Sequence, residues 1–95
     1  MSEQPALDFG KVEALRKHML LTVQQLCKLF GVSRMTYYSW LKGKNIRHHN
    51  DAKVRRVLKV LLATMHQHEW PTPDVIGSSS VERFEKLKDI IGDDL

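Results

Sequence analysis

The chain has 95 residues, 42% of them hydrophobic, and a formal net charge of +4. That is enough for one modest core and too little for two, and the hydrophobic content argues against a disordered chain. No apolar run approaches the roughly 20 residues that a bilayer span needs, and the single cysteine, Cys27, excludes an internal disulfide framework and a Cys-rich metal site.

The first residues, MSEQPALDFG, carry neither the basic start nor the apolar stretch of a secretory signal. A cytoplasmic location with no membrane partner is the expectation. Charge is unevenly placed. Arg34, Lys42, Lys44, Arg47, Lys53, Arg55, Arg56 and Lys59 crowd the middle of the chain with Asp51 the one acid among them, whereas the segment after Trp70 is net acidic and ends in Asp93 and Asp94. A basic stretch beside an acidic tail points to a polyanionic partner for one face, with the tail held clear of it.

In chain order, the spacing predicts a first helix over about 9–20, with Asp8 as N-cap and Phe9, Val12, Leu15, Met19 and Leu20 on its apolar face. Thr22 and Gln25 form a capping box for a second helix, whose buried face is Val23, Leu26, Leu29 and Phe30 and whose stop is Gly31. Ser33 caps a third, running from Arg34 to Leu41 and stopped at Gly43. A polar, basic loop over 44–49 leads to a fourth helix starting at Asn50 or Asp51. Its Val54, Val57, Leu58, Leu61, Leu62 and Met65 recur at helical spacing. Trp70-Pro71-Thr72-Pro73 ends it, because proline lacks the N–H that continuation requires. Residues 70–80 read as a connector. A last helix over about 81–92 begins at a Ser79-x-x-Glu82 capping box and presents Val81, Phe84, Leu87, Ile90 and Ile91. The expected fold is all-α: a single compact five-helix domain over 1–95, with a helix-turn-helix core over 9–69.

Two short capped helices flanking Gly31-Val32-Ser33 make a helix-turn-helix unit over 22–42. Glycine admits the backbone conformation of the turn, and Leu26 and Val32 fill the angle between the helices. Within the third helix Tyr37, Trp40 and Leu41 lie at i, i+3 and i+4 and form an inward trio with Val32. Arg34, Met35, Tyr38, Ser39 and Lys42 fall on outward rows. Cys27 reads as a small buried hydrophobe.

Gly31-Val32-Ser33-Arg34 followed by Trp40-Leu41-Lys42-Gly43-Lys44 resembles the helix-turn-helix of the Cro and C1 repressors, the xenobiotic-response-element-like family. The resemblance covers Thr22 to Lys44 well, the first helix loosely, and fades beyond. It implies that Arg34, Met35, Tyr38 and Ser39 approach base edges. Side-chain chemistry agrees in part: arginine pairs with guanine O6 and N7, and Met35 or Tyr38 can pack on a thymine methyl, while a serine hydroxyl is undiscriminating. Thr22, Thr36, Lys42, Lys44 and Arg47 are expected at phosphates, with Lys53 and Arg56 extending the footprint.

His48-His49 and His66-x-His68 lack the i, i+4 spacing of a helical metal pair, so no metal is expected; His48 and His49 suit phosphate contacts when protonated. No catalytic constellation, phosphate-binding glycine loop or cofactor motif stands out, and neither enzyme activity, a cofactor nor a small-molecule ligand is expected. The reading is a sequence-specific regulator of double-stranded DNA, a repressor of bacterial or phage type acting by operator occlusion. A short reading helix works best on paired half-sites, so a homodimer is expected, with Val81, Phe84, Leu87 and Ile91 as its interface or as the seal of the monomer core. Other readings are a DNA-recognition subunit like the small subunit of a phage packaging terminase, an antitoxin, and a protein-interaction adaptor using Arg34, Met35 and Tyr38.

Overall fold

Helix boundaries here are set by short polar side chains that reach back to orphan amides. The computed structural model describes residues 6–92. Asp8 accepts from the amides of Gly10 and Lys11 and starts α1, Phe9–His18. Thr22 starts α2, Val23–Phe30: its hydroxyl accepts from the Gln25 amide at 3.1 Å while the Gln25 carboxamide accepts from the Thr22 amide at 3.0 Å. Ser33 accepts from the Thr36 amide at 3.1 Å and starts α3, Arg34–Leu41. Each cap satisfies donors that the first helical turn leaves unpaired. Gly31, with φ +74, takes the left-handed conformation that ends α2 and turns the chain toward α3.

α4, His48–Gln67, begins ahead of the start expected at Asn50 or Asp51. Arg47 holds the N-cap position without a side-chain cap. Asp51 works from inside the first turn instead, accepting from the Arg55 Nε at 2.6 Å, a carboxylate at the positive end of the helix paired one turn on. α1 is shorter than expected because Leu20 has φ +60, which a right-handed helix excludes, and that break delivers Met19 and Leu21 on either side of it into the core.

The expected connector holds a further one-turn helix, α5, Pro73–Ile76, with proline in its first turn and Val75 buried. α6, Ser80–Ile91, follows, capped by Ser79. The described residues therefore form six helices and no strand, all-α as expected with one helix more.

α2 packs on both α3 and α4, α1 lies on α3, and α6 closes the far side of α4 with α5 against it. The core joins Met19, Leu26, Phe30, Tyr37, Val54, Val57, Leu61 and Leu87, all essentially sealed from solvent. Trp70 seats its indole at the end of α4 and donates to the Met19 carbonyl at 2.9 Å, tying the ends of α1 and α4. Of the apolar row expected on α4, Leu62 stays outside, 44% exposed, and Thr64 is buried in its stead, its hydroxyl satisfied by the Val60 carbonyl at 2.9 Å. The row is wider than the surface α2 and α6 can cover, so Leu58 and Leu62 line a groove against Leu7 and Leu15.

Phe84, Leu87 and Ile91 are buried in the chain's own core. Of the two roles expected for them, burial fits the seal of the monomer core, since side chains already removed from water by the fold have little apolar area left to offer a partner. Of that set only Val81 is free, 67% exposed. Asp93 and Asp94, the expected repelling tail, lie outside the described residues.

Candidate nucleic-acid interface

α3 is held rigidly from behind. Tyr37 is fully buried and Trp40 nearly so, and Phe9 from α1 packs on both, 5.4 Å from the Trp40 ring and 6.4 Å edge-on from Tyr37. The Tyr37 hydroxyl donates to Glu13 Oε1 at 2.7 Å, and Arg16 grips the same carboxylate through two nitrogens at 2.7 and 2.8 Å. Arg16 also donates to the Leu21 carbonyl at 2.9 Å, where the chain enters α2.

This network shifts the groups it joins. The Arg16 guanidinium draws the Glu13 carboxyl down to about 2 from an ordinary 4.5, against the pull of burial and with the help of the Tyr37 hydroxyl. Burial, and then the Glu13 carboxylate it donates to, push the Tyr37 phenol up, so it stays a neutral donor. Burial likewise raises the Cys27 thiol, which leaves it an inert packing group under the helix-turn-helix angle.

With Tyr37 and Trp40 fixed inward, helical geometry forces the neighbouring positions out. Met35 is 83% exposed, Tyr38 46%, and Arg34 stands exposed beside them. The Tyr38 ring keeps part of its surface against Tyr37, centroids 6.2 Å apart, while Met35 projects into solvent. Ser39, expected on the same reading row, is half-buried and donates its hydroxyl to the Thr36 carbonyl at 2.6 Å, leaving only acceptor capacity for a ligand. The Thr36 hydroxyl exchanges a 3.0 Å hydrogen bond with Ser33.

Beyond the end of α3 the surface folds into a cleft of about 440 Å³, lined by Thr36, Ser39, Trp40, Lys44, Asn45, Arg47, His49 and Asn50. It brings together four of the expected contact residues, Thr36, Ser39, Lys44 and Arg47, and among the described residues no carboxylate lines it. Lys44 and Arg47 give it two exposed cations close together. Lys42 caps the end of α3 and is exposed. Thr22 sits elsewhere, in a groove at the start of α2 shared with Lys28, Lys88 and Glu85. Lys53 and Arg56 are exposed but do not reach the cleft. The Lys53 ammonium lies over the α2 terminus instead, where a Cβ at Gly31 would come within 3.0 Å of Nζ, a position that complements the negative end of that helix.

Sequence reasoning missed Asn45 and Asn50. They are neutral and so invisible to a charge count, and they join the cleft only because α4 starts early enough to bring Asn50 round beside Trp40.

Residues 20–65, which span α2, α3 and nearly all of α4, match the family model described as a helix-turn-helix domain. This stretch is similar to helix-turn-helix domains, in keeping with the geometry of α2, the Gly31 turn and α3. No curated protein and no solved structure matches the chain. Among the described residues no helix is long and apolar enough to cross a membrane.

Proposed function

We propose that the chain is a non-enzymatic, sequence-specific double-stranded DNA-binding transcriptional regulator of bacterial or phage type, a repressor that works by covering its operator. The observation that carries this reading is the exposed row Arg34, Met35 and Tyr38 on a helix whose opposite face is locked into the core, next to a cleft that holds Lys44 and Arg47 with no carboxylate among the described residues lining it. In the bound state α3 lies in the major groove. Arg34 reads guanine, and Met35 and Tyr38 sense thymine methyls. Thr22, Thr36, Lys42, Lys44 and Arg47 hold phosphates and set the register. The resemblance of 22–44 to Cro- and C1-type repressors supports the same assignment.

The protein acts as a homodimer on two half-sites about one helical turn apart. Its dimer face excludes Phe84, Leu87 and Ile91, which the monomer core consumes.

Selection of bound duplexes from a random-sequence library tests this directly. The expected result is a palindrome that Arg34→Ala relaxes at one base position per half-site. Failure to enrich any sequence, with capture of a protein that contacts Met35 and Tyr38, would replace the reading by a protein-interaction adaptor.

A further inference from the structure

We infer that the cleft after α3 is a second sequence-reading site for duplex DNA, in which Asn45 and Asn50 contact base edges while Lys44 and Arg47 fix the strand's phosphate. The inference rests on the DNA-binding reading above and extends it beyond the reading helix.

Size is the first argument. A cleft of about 440 Å³ is within the roughly 300–1,000 Å³ range of pockets that enclose small organic molecules, far more room than a single phosphate oxygen contact needs.

Chemistry is the second. Lys44 and Arg47 supply the cations that neutralise a phosphate. Two carboxamides beside them add no charge and so contribute nothing to counterion release. Each instead offers a donor and an acceptor side by side, the pattern that pairs with adenine N6 and N7. Asn45 is exposed and Asn50 half-buried, and among the described residues neither carboxamide has a hydrogen-bond partner that would hold it away from a ligand.

Position is the third. The cleft shares Thr36 and Ser39 with the outward flank of α3, so it continues the reading surface. Gly43, with φ +98 and open space around it, turns the chain off the end of α3 into the 44–47 loop, and the Lys44 amide is anchored to the Ser39 carbonyl at 3.1 Å. Trp40 forms the buried floor. The core tryptophan and the anchored Lys44 amide fix the floor and the backbone of the site, from which the two asparagine side chains project.

Library selection with the full chain and with Asn45→Ala, Asn50→Ala and the double variant distinguishes the possibilities, with thermal melts confirming that each variant is folded. The expected result is a loss of about ten-fold or more in discrimination at a base pair outside those that Arg34→Ala affects, with preference at the Arg34 position retained. Lys44→Ala in parallel is expected to weaken all duplexes alike and to lower the salt slope by about one. A uniform loss across all sequences in the asparagine variants, or no change in the selected site, would overturn base reading by the cleft while leaving α3 as the reading helix. Absence of any enriched sequence with the unaltered chain would overturn the DNA-binding reading itself.

Discussion

α3 and α6 are short amphipathic helices, and the fold treats them in opposite ways. α6 spends its apolar side chains on the core: Phe84, Leu87 and Ile91 are buried, and Val81 alone at its start remains in water. α3 buries Tyr37 and Trp40 and leaves Met35 and Tyr38 outside with Arg34. Apolar periodicity alone does not separate them, since both carry enough hydrophobic residues to seal a face. The separation comes from what lies behind each helix. α3 has a polar brace, Glu13 with Arg16 and Tyr37, whereas α6 is held chiefly by apolar packing, with the Gln25 carboxamide donating to the Ser80 carbonyl at 3.0 Å and Lys86 paired to Asp74 at 3.2 Å. On α3 a polar network braces the helix while Met35 and nearly half of Tyr38 stay in solvent, the arrangement on which the proposed reading role rests.

The largest effects should come from the inward faces, where the two helices behave alike. Tyr37→Ala is expected to cost about 3–5 kcal/mol and Leu87→Ala about 2–5 kcal/mol in denaturant unfolding, each leaving a cavity in the core. A small cost at Leu87 would reopen the case for α6 as an exposed interface.

Removing the brace comes next. Glu13→Ala leaves the Tyr37 hydroxyl without its acceptor and the Arg16 guanidinium with the Leu21 carbonyl alone, and a loss of about 1–3 kcal/mol is expected at neutral pH. The same group confers a pH dependence. Because its carboxyl is held at about 2 in the fold and returns to an ordinary 4.5 when released, the unfolded chain binds the extra proton. Its stabilisation is whole above pH 4.5 and drains away as the pH falls toward 2. Melting temperatures measured across that window should fall more steeply for the unaltered chain than for Glu13→Gln, and parallel curves would remove Glu13 from the account.

Gly31→Ala is expected to cost about 1–2 kcal/mol, since the new methyl meets a left-handed backbone and the Lys53 ammonium together. Smallest in stability, and most informative, are Met35→Ala and Tyr38→Ala. Both should unfold within about 0.5 kcal/mol of the unaltered chain and yet change the selected DNA site. A large destabilisation would instead give these side chains a packing role and dissolve the contrast with α6.

Local chemistry made much of this legible in the sequence. Asp8, Thr22, Ser33 and Ser79 cap the helices they were expected to cap, because a cap depends on residues two or three positions away. The inward trio of α3 was readable for the same reason, from spacing within two turns.

What escaped depends on distant partners. The Tyr37–Glu13 bond joins positions 24 apart and Gln25–Ser80 positions 55 apart, and nothing in the pattern of either segment announces them. Leu62 repeats correctly along α4, but periodicity defines a face without saying how much of it neighbours will cover. The fate of Phe84, Leu87 and Ile91 was open between core and interface until α6 was seen against α4. The cleft was hidden because its distinguishing residues, Asn45 and Asn50, carry no charge.

The most direct test of the contrast is backbone amide chemical-shift mapping as the chain is titrated with a duplex recovered by selection. The account predicts that the largest changes fall on Arg34 to Ser39 and on the 44–50 segment, with the amides of Leu87 and Ile91 unmoved. Changes concentrated on α6, with α3 silent, would contradict it.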